Sequence, residues 1–368
     1  MKRKSSRRDF LRGKSARNAM ADAVEDALDG GEQSTAGKSA PPGGFLLQVS
    51  RRAMACEFQV SLSAGQYENG TQAALNALDV VEELETQMSV FRDDSELSHI
   101  NNTAADEAVE VEPRLFELIR LSTRLHEETE GAFDITAGPL WKAWGFARRE
   151  GSVPTEQQLE EALALVGGRM LELDEENETI RFKRPGMMLN LGSIGKGYAL
   201  DRCGEYLVDE GIDDFLIHGG QSSVIARGGA LPKQSETQTE GKAPWVVGIR
   251  HPLRPDRRIA EIHLRDKALA TSGSRIQSFR HEGRRYGHII DPRNGQPAEG
   301  VISATAIAPS AAEADALSTA FYVIGADAAI DYCRTHPQIG TVLVCPIRHR
   351  GGAEIRTEGL QEGELQVL

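Results

Sequence analysis

Three short stretches of this chain carry side chains that could do chemistry together. After Pro309-Ser310, in a stretch patterned as a helix, Asp315 and Thr319 lie four residues apart. That spacing stacks a carboxylate and a hydroxyl on one helix face, two oxygen donors of the kind a hard divalent cation prefers. His288 falls in a strand-like run, Arg285 to Ile290, closed by the turn Asp291-Pro292-Arg293-Asn294-Gly295. An imidazole titrating near neutrality can take a proton from a hydroxyl nucleophile, so its candidate role is general base. The third stretch, Asn190 to Tyr198, places glycines at 192, 195 and 197 and reads as strand, tight turn, helix start. Such a corner lets backbone approach a phosphate and points free amides at it. Lys196 opens that helix, where a cation opposes the dipole, so its position asks for a nearby anion.

Each piece alone has a plainer reading: a hydrogen-bonded strand histidine, a helix-surface pair, a glycine turn. The corner matches neither the Walker A loop nor the GxGxxG dinucleotide fingerprint. The elements around them therefore matter. Strands are expected at Phe45 to Val49 and at Cys56 to Leu62, where Phe58, Val60 and Leu62 alternate with polar residues. An amphipathic helix follows from Thr71 to about Ser89, with Leu78, Val81, Leu84 and Met88 on one face. Asp94 or Ser95 caps a short helix to Asn101, and Pro113 opens another that ends near Glu130, with Gly131 as its stop. A Gly-bounded loop, 131–139, leads to a short helix with Trp141 and Trp144; Thr155 and Gln158 form a capping box for a helix to Val166. Strands at Met170 to Leu173 and Thr179 to Phe182 precede the glycine corner, whose helix runs from about Lys196 to Asp209. Leu216 to His218, Trp245 to Arg250, Arg258 to Leu264 and Val301 to Ala308 read as further strands, with a polar loop from Gly228 to Ala243. No 20–50-residue period recurs. Meander strands with interspersed helices predict an α+β fold with largely antiparallel sheets.

A net charge of −13 argues against nonspecific binding of nucleic acid or an anionic membrane surface. The four cysteines (56, 203, 333 and 345) are widely spaced with no CxxC, which disfavours a zinc site or a disulfide framework. No apolar run reaches the length of a transmembrane helix. Residues 1–43 read as a disordered polar tail, 44–350 as the folded domain and 351–368 as a C-terminal tail. Ser6-Arg7-Arg8-Asp9-Phe10-Leu11 has the look of a twin-arginine export signal, but no apolar segment follows Arg7 and Arg8. Cytoplasmic placement is therefore expected over export.

Taken together, Met54, MSVFRDDSELSHIN (88–101), GAFDITAGPL (131–140), LNLGSIGKGYALD (189–201), LATSG (269–273), YGHIIDPRNGQP (286–297) and APSAAEADALSTA (308–320) occur in order. They resemble the successive motifs of the FAD:protein FMN transferases, the ApbE-like flavin transferases, over about residues 45 to 345. The resemblance implies an ApbE-like fold with an FAD cleft between two subdomains. It implies Mg²⁺-dependent transfer of FMN from FAD to a threonine hydroxyl of an acceptor flavoprotein, with release of AMP. By the same resemblance Met54, Phe91, Ala132, Phe133, Asp134, Asn190, Lys196 and Ile290 fall at flavin-nucleotide positions. Ser193 falls where the family offers a backbone carbonyl to the metal, Asp315 and Thr319 at its side-chain metal ligands, and His288 at the proposed base. Phe91 and Phe133 are expected to stack on adenine or isoalloxazine. The chain departs from the family pattern at Asn190, where Asp is usual, at Phe91, where Tyr is frequent, and after Gly219-Gly220, where an acidic residue is common. FAD hydrolysis to FMN and AMP, or FAD binding without catalysis, are the alternative readings.

Overall fold

The structure, a computed structural model, describes residues 45–148, 150–231, 242–252, 254–273, 278–347 and 352–368. The expected N-terminal tail and its twin-arginine stretch lie outside the described residues. The expected polar loop is described only at its two ends. Residues 42–368 form one compact unit.

The organising layer is an eight-stranded antiparallel sheet. In sheet order its strands are β1 (Leu46–Ala53), β2 (Cys56–Ser63), β6 (Phe215–Gly219), β7 (Ser223–Arg227), β10 (Lys267–Ser272), β13 (Ser303–Ala308), β14 (Gly340–Pro346) and β15 (Ala353–Glu358). Three small antiparallel sheets accompany it. One joins β3 (Val109–Glu110), β5 (Thr179–Phe182) and β4 (Leu171–Asp174). A second joins β16 (Leu365–Val367), β9 (Arg254–Leu264) and β8 (Trp245–His251), and a third pairs β11 (Ser278–His281) with β12 (Arg284–Gly287). The antiparallel α+β expectation holds.

Side-chain alternation along the central strands decides what packs on each face. Val224, Leu269, Ile307 and Val342 point to one side and share a core with Trp245, Ile249 and Ile262 of the β8–β9 hairpin. Ala268, Ala270, Ala304, Ala306 and Ala308 point to the other, where the main core lies. Alanines there let a helix come close, and α7 (Ala311–Ile324) contributes Ala311, Ala314, Ala316 and Ala320 to the same contact. The other helices are α1 (Gly70–Met88), α2 (Glu96–Thr103), α3 (Pro113–Glu128), α4 (Gly138–Ala143), α5 (Glu156–Leu163), α6 (Gly195–Asp209) and α8 (Ala326–Thr335).

Local chemistry explains most helix ends. The Ser95 side chain accepts from Ser98 N–H, so Ser95 rather than Asp94 is the cap of α2. The Thr155–Gln158 capping box is complete. Helix α3 stops at Glu128, and Glu130 and Gly131 both take positive φ to turn the chain into the following loop.

Two expectations are corrected. The segment expected as a tail, 351–368, is paired in its described residues: β15 pairs with β14 along the sheet edge and β16 pairs with β9. The strand expected over Arg285 to Ile290 ends at Gly287, because the Asp291 carboxylate folds the next residues onto itself, accepting from Arg293 N–H at 3.0 Å. Just after His288, Ile290 makes an isolated bridge to Pro297.

Candidate functional site

The glycine corner is assembled by its neighbours. Asn101 of α2 clamps Leu189 in both directions, donating to its carbonyl at 3.0 Å and accepting from its N–H at 2.7 Å. Asn190 then gives its N–H to the Ile135 carbonyl at 2.7 Å, which draws the 131–138 loop alongside. Its side-chain oxygen accepts from Gly192 N–H at 2.9 Å and so tightens the turn. An aspartate would make the same bond with a charge added; the amide keeps the turn and leaves it neutral.

From this corner α6 starts, and its first turn meets α7 directly. Gly197 N–H donates to Asp315 Oδ2 at 3.1 Å. Lys196 Nζ lies 3.2 Å from Oδ2 and 3.3 Å from Oδ1 of the same carboxylate. The buried Ser223, at the start of β7, donates to Oδ1 at 3.0 Å. The anion that Lys196 demanded is thus Asp315. One turn on, Thr319 Oγ1 lies 3.1 Å from Ser272 Oγ at the end of β10. The corner and the late acidic helix, far apart in sequence, share one polar knot at the ends of two central strands. Ser193 sits in the turn immediately before α6.

Asp201 closes the helix pair from the other side. Its carboxylate accepts from Ala311 N–H at 2.7 Å and Ala312 N–H at 2.8 Å, capping α7 from α6. Burial pushes this acid up to about 6 even against those two donors.

The flavin-side residues divide. Met54 and Ala55 form the two-residue turn between β1 and β2, both with positive φ, a left-handed pair that hairpin geometry favours and non-glycine residues resist. Gly220 packs beside Cys56, where an added Cβ would lie 3.1 Å from the sulfur. Phe91 is 70% exposed and stands edge-on to Trp141 at 5.8 Å, an aromatic surface open to a planar ligand. Phe133 is 1% exposed and belongs to the main core, which corrects the expectation that its ring stacks on the nucleotide. Ala132 is buried beside it, so this loop presents backbone there rather than side chains.

Asp134 also turns inward. Its carboxylate accepts from Thr136 N–H at 2.7 Å, Thr136 Oγ1 at 2.6 Å and Gly168 N–H at 3.1 Å, and faces His126 Nδ1 at 3.2 Å. The same His126 nitrogen lies 3.2 Å from the Phe133 carbonyl. The hydrogen bond to Asp134 holds the His126 pKa above its ordinary value, against desolvation. A group raised in this way stabilises the fold fully below about pH 6.5 and loses that contribution as pH rises through the raised folded value. His126→Gln is accordingly expected to cost about 1 kcal/mol at pH 6 and to flatten the fall in melting temperature between pH 6 and 9. A variant whose melting temperature keeps the wild-type slope would show that the pair contributes nothing.

His288 follows the β11–β12 hairpin. The ring of Phe146 stands edge-on to it at 6.4 Å, and Phe279, Tyr286 and Trp144 continue the aromatic cluster. Trp144 Nε1 donates to the Gly295 carbonyl at 2.8 Å, which ties the turn after His288 to the end of α4. Ile290 is half-buried at its bridge. A groove of about 730 Å³ between α3, α6 and the start of α7, lined by Arg114, Tyr198 and Asp201, includes none of the expected site residues and is a separate feature. Among the described residues no group of three or more His, Cys, Asp or Glu side chains could hold a metal ion. No described helix is long and apolar enough to cross a membrane.

Sequence reasoning missed Ser223, Ser272, His126 and the capping role of Asp201. Two of them left a signal: Asp201 as the acid that ends the LNLGSIGKGYALD stretch, and Ser272 as a member of the LATSG stretch.

Comparison with known proteins identifies the family and the fold. The model of the ApbE family matches residues 54–343. An FAD:protein FMN transferase of Vibrio cholerae is 34% identical over 253 residues, 67% of this chain and 71% of that protein. One of Haemophilus influenzae is 33% identical over 260 residues, covering 68% and 72%. Among solved structures, the ApbE protein of Thermotoga maritima superposes with a TM-score of 0.73 at 31% identity, over 84% of this chain and 96% of that one. The flavin transferase ApbE of Vibrio cholerae gives 0.73 at 28% identity, over 85% and 97%. By sequence and by fold, this chain belongs to the ApbE family.

Proposed function

We propose that this chain is an enzyme that transfers FMN from FAD to a threonine hydroxyl of an acceptor flavoprotein, releasing AMP, with Mg²⁺ bound at Asp315 and Thr319. The observation that carries the reading is the Asp315 carboxylate, held between the first turn of α6 and Ser223, facing an ammonium group, with a hydroxyl one turn further along. A buried carboxylate that already holds a cationic group, with a hydroxyl one turn along, is a donor set suited to a hard cation that completes its shell with water and phosphate oxygens. When bound, Mg²⁺ would neutralise the pyrophosphate and stabilise the phosphate leaving with AMP.

The residues of this chain do the rest. Lys196 attracts the pyrophosphate through its ammonium group. Phe91 offers an exposed ring to a flavin or adenine plane. His288 takes the proton from the acceptor hydroxyl as its oxygen attacks the phosphorus of the FMN half. One phosphorus–oxygen bond forms, the bridging bond of the pyrophosphate breaks, and AMP departs with the bridging oxygen.

The test incubates the protein with FAD, Mg²⁺ and an acceptor flavoprotein and follows the acceptor by mass. Acceptor heavier by one FMN, through a phosphoester on threonine, supports the reading; free FMN with AMP would mean that water is the nucleophile. His288→Ala is expected to keep FAD binding and to lose transfer by about 100-fold or more. Transfer at the wild-type rate would remove His288 from the role of base.

A further inference from the structure

Lys196 holds a place on Asp315 that has to be vacated. The two carboxylate oxygens receive four donor contacts: Ser223 Oγ and Lys196 Nζ on Oδ1, Gly197 N–H and Lys196 Nζ on Oδ2. A carboxylate offers about four lone-pair sites, so no place remains for a metal ion unless a donor leaves. Two of the donors belong to the framework. Ser223 is fully buried in the sheet, and Gly197 is wedged so closely that a Cβ on it would lie 2.0 Å from the Ala311 carbonyl oxygen. The third is the tip of a flexible four-carbon chain whose side chain is 26% exposed. It also stands in the first turn of α6, where the dipole repels a cation and a second anion would draw it away.

We propose that Lys196 is the resident counter-ion of Asp315, displaced when a divalent cation binds, and that the pyrophosphate of the incoming dinucleotide stabilises the released ammonium. This rests on the assignment of Asp315 as a metal ligand. Metal and nucleotide then help each other bind: metal alone has to evict the ammonium with nothing to receive it, whereas bound pyrophosphate receives it. By linkage the metal raises nucleotide affinity by the same factor.

The experiment measures Mn²⁺ binding, as a paramagnetic oxygen-preferring probe, to the full chain with and without FAD. Wild type is expected to bind Mn²⁺ at least tenfold tighter when FAD is present. Lys196→Met and Lys196→Gln are each expected to bind Mn²⁺ without FAD about tenfold tighter than wild type, and their FAD enhancement should shrink by that same factor. Their metal-free melting temperatures should fall, because Asp315 has lost its cation, and recover on adding Mn²⁺. No tightening in either substituted protein, or no FAD enhancement in wild type, would overturn the proposal. Asp315→Ala separates the two levels. If it removes Mn²⁺ binding while the lysine variants bind no tighter, only the displacement fails. If it leaves Mn²⁺ binding intact, the assignment of the metal site fails with it.

Discussion

Gly197→Ala is expected to abolish FMN transfer and to lower the melting temperature by about 10 °C or more. In an open helix this change would add a few tenths to 1 kcal/mol of stability. Here the new Cβ would lie 2.0 Å from the Ala311 carbonyl oxygen, 2.4 Å from its carbon and 2.7 Å from Ala312 N, all backbone atoms that no rotamer change can move. The two helices must part, at an overpacking cost of roughly 1–3 kcal/mol. Parting them stretches the Gly197–Asp315 bond and the two bonds from the start of α7 to Asp201. Bonds to charged acceptors contribute about 1.5–3 kcal/mol each, so a total loss of about 4 kcal/mol or more follows. Displacement of a ligand by about 1 Å is enough for a 100-fold loss of rate even in molecules that stay folded. Melting curves and the transfer assay read both effects. A variant with wild-type melting and activity would mean that the helices do not cross as closely as described.

The second large effect is that of Asp315→Ala, expected to reduce transfer by at least about 1,000-fold at any Mg²⁺ concentration. Cation assistance to a phosphoryl leaving group is worth several kcal/mol, and each 1.36 kcal/mol is a factor of ten in rate. The same change strips the acceptor from Gly197 N–H, Ser223 Oγ and the Lys196 ammonium. Breaking such a knot from one side costs about 3 kcal/mol. Melting should therefore drop even without metal, which distinguishes this residue from one that only touches substrate. Activity within tenfold of wild type would refute the ligand role.

Much of this was readable from the chain, for identifiable reasons. Helix starts were legible where a cap and a periodic face coincide, as at Ser95, Pro113 and Thr155. Lys196 was legible as a puzzle, a cation at the wrong helix end, and the structure supplied Asp315 as its answer. The roles of Ser223 and Ser272 were not legible, because they depend on which strands lie side by side, and periodicity reports a buried face without naming its partner. Phe133 misled because a resemblance places a residue along the chain without saying which way its ring points. Its loop is pulled inward by the bonds from Asp134 to Thr136, Gly168 and His126. The edge strands β15 and β16 are short and have no fully buried residue, so their pattern resembles that of a tail until their partners are seen.

The two faces of the central strands set different limits on how this sequence can drift. On the side of Leu269, Ile307 and Val342, one branched aliphatic can replace another while neighbours readjust. On the side of Ala268, Ala270, Ala304 and Ala306, every added methyl pushes outward on the helix that carries Asp315. Tolerance should alternate residue by residue along a single strand, and the intolerant half is set by the reaction as much as by folding.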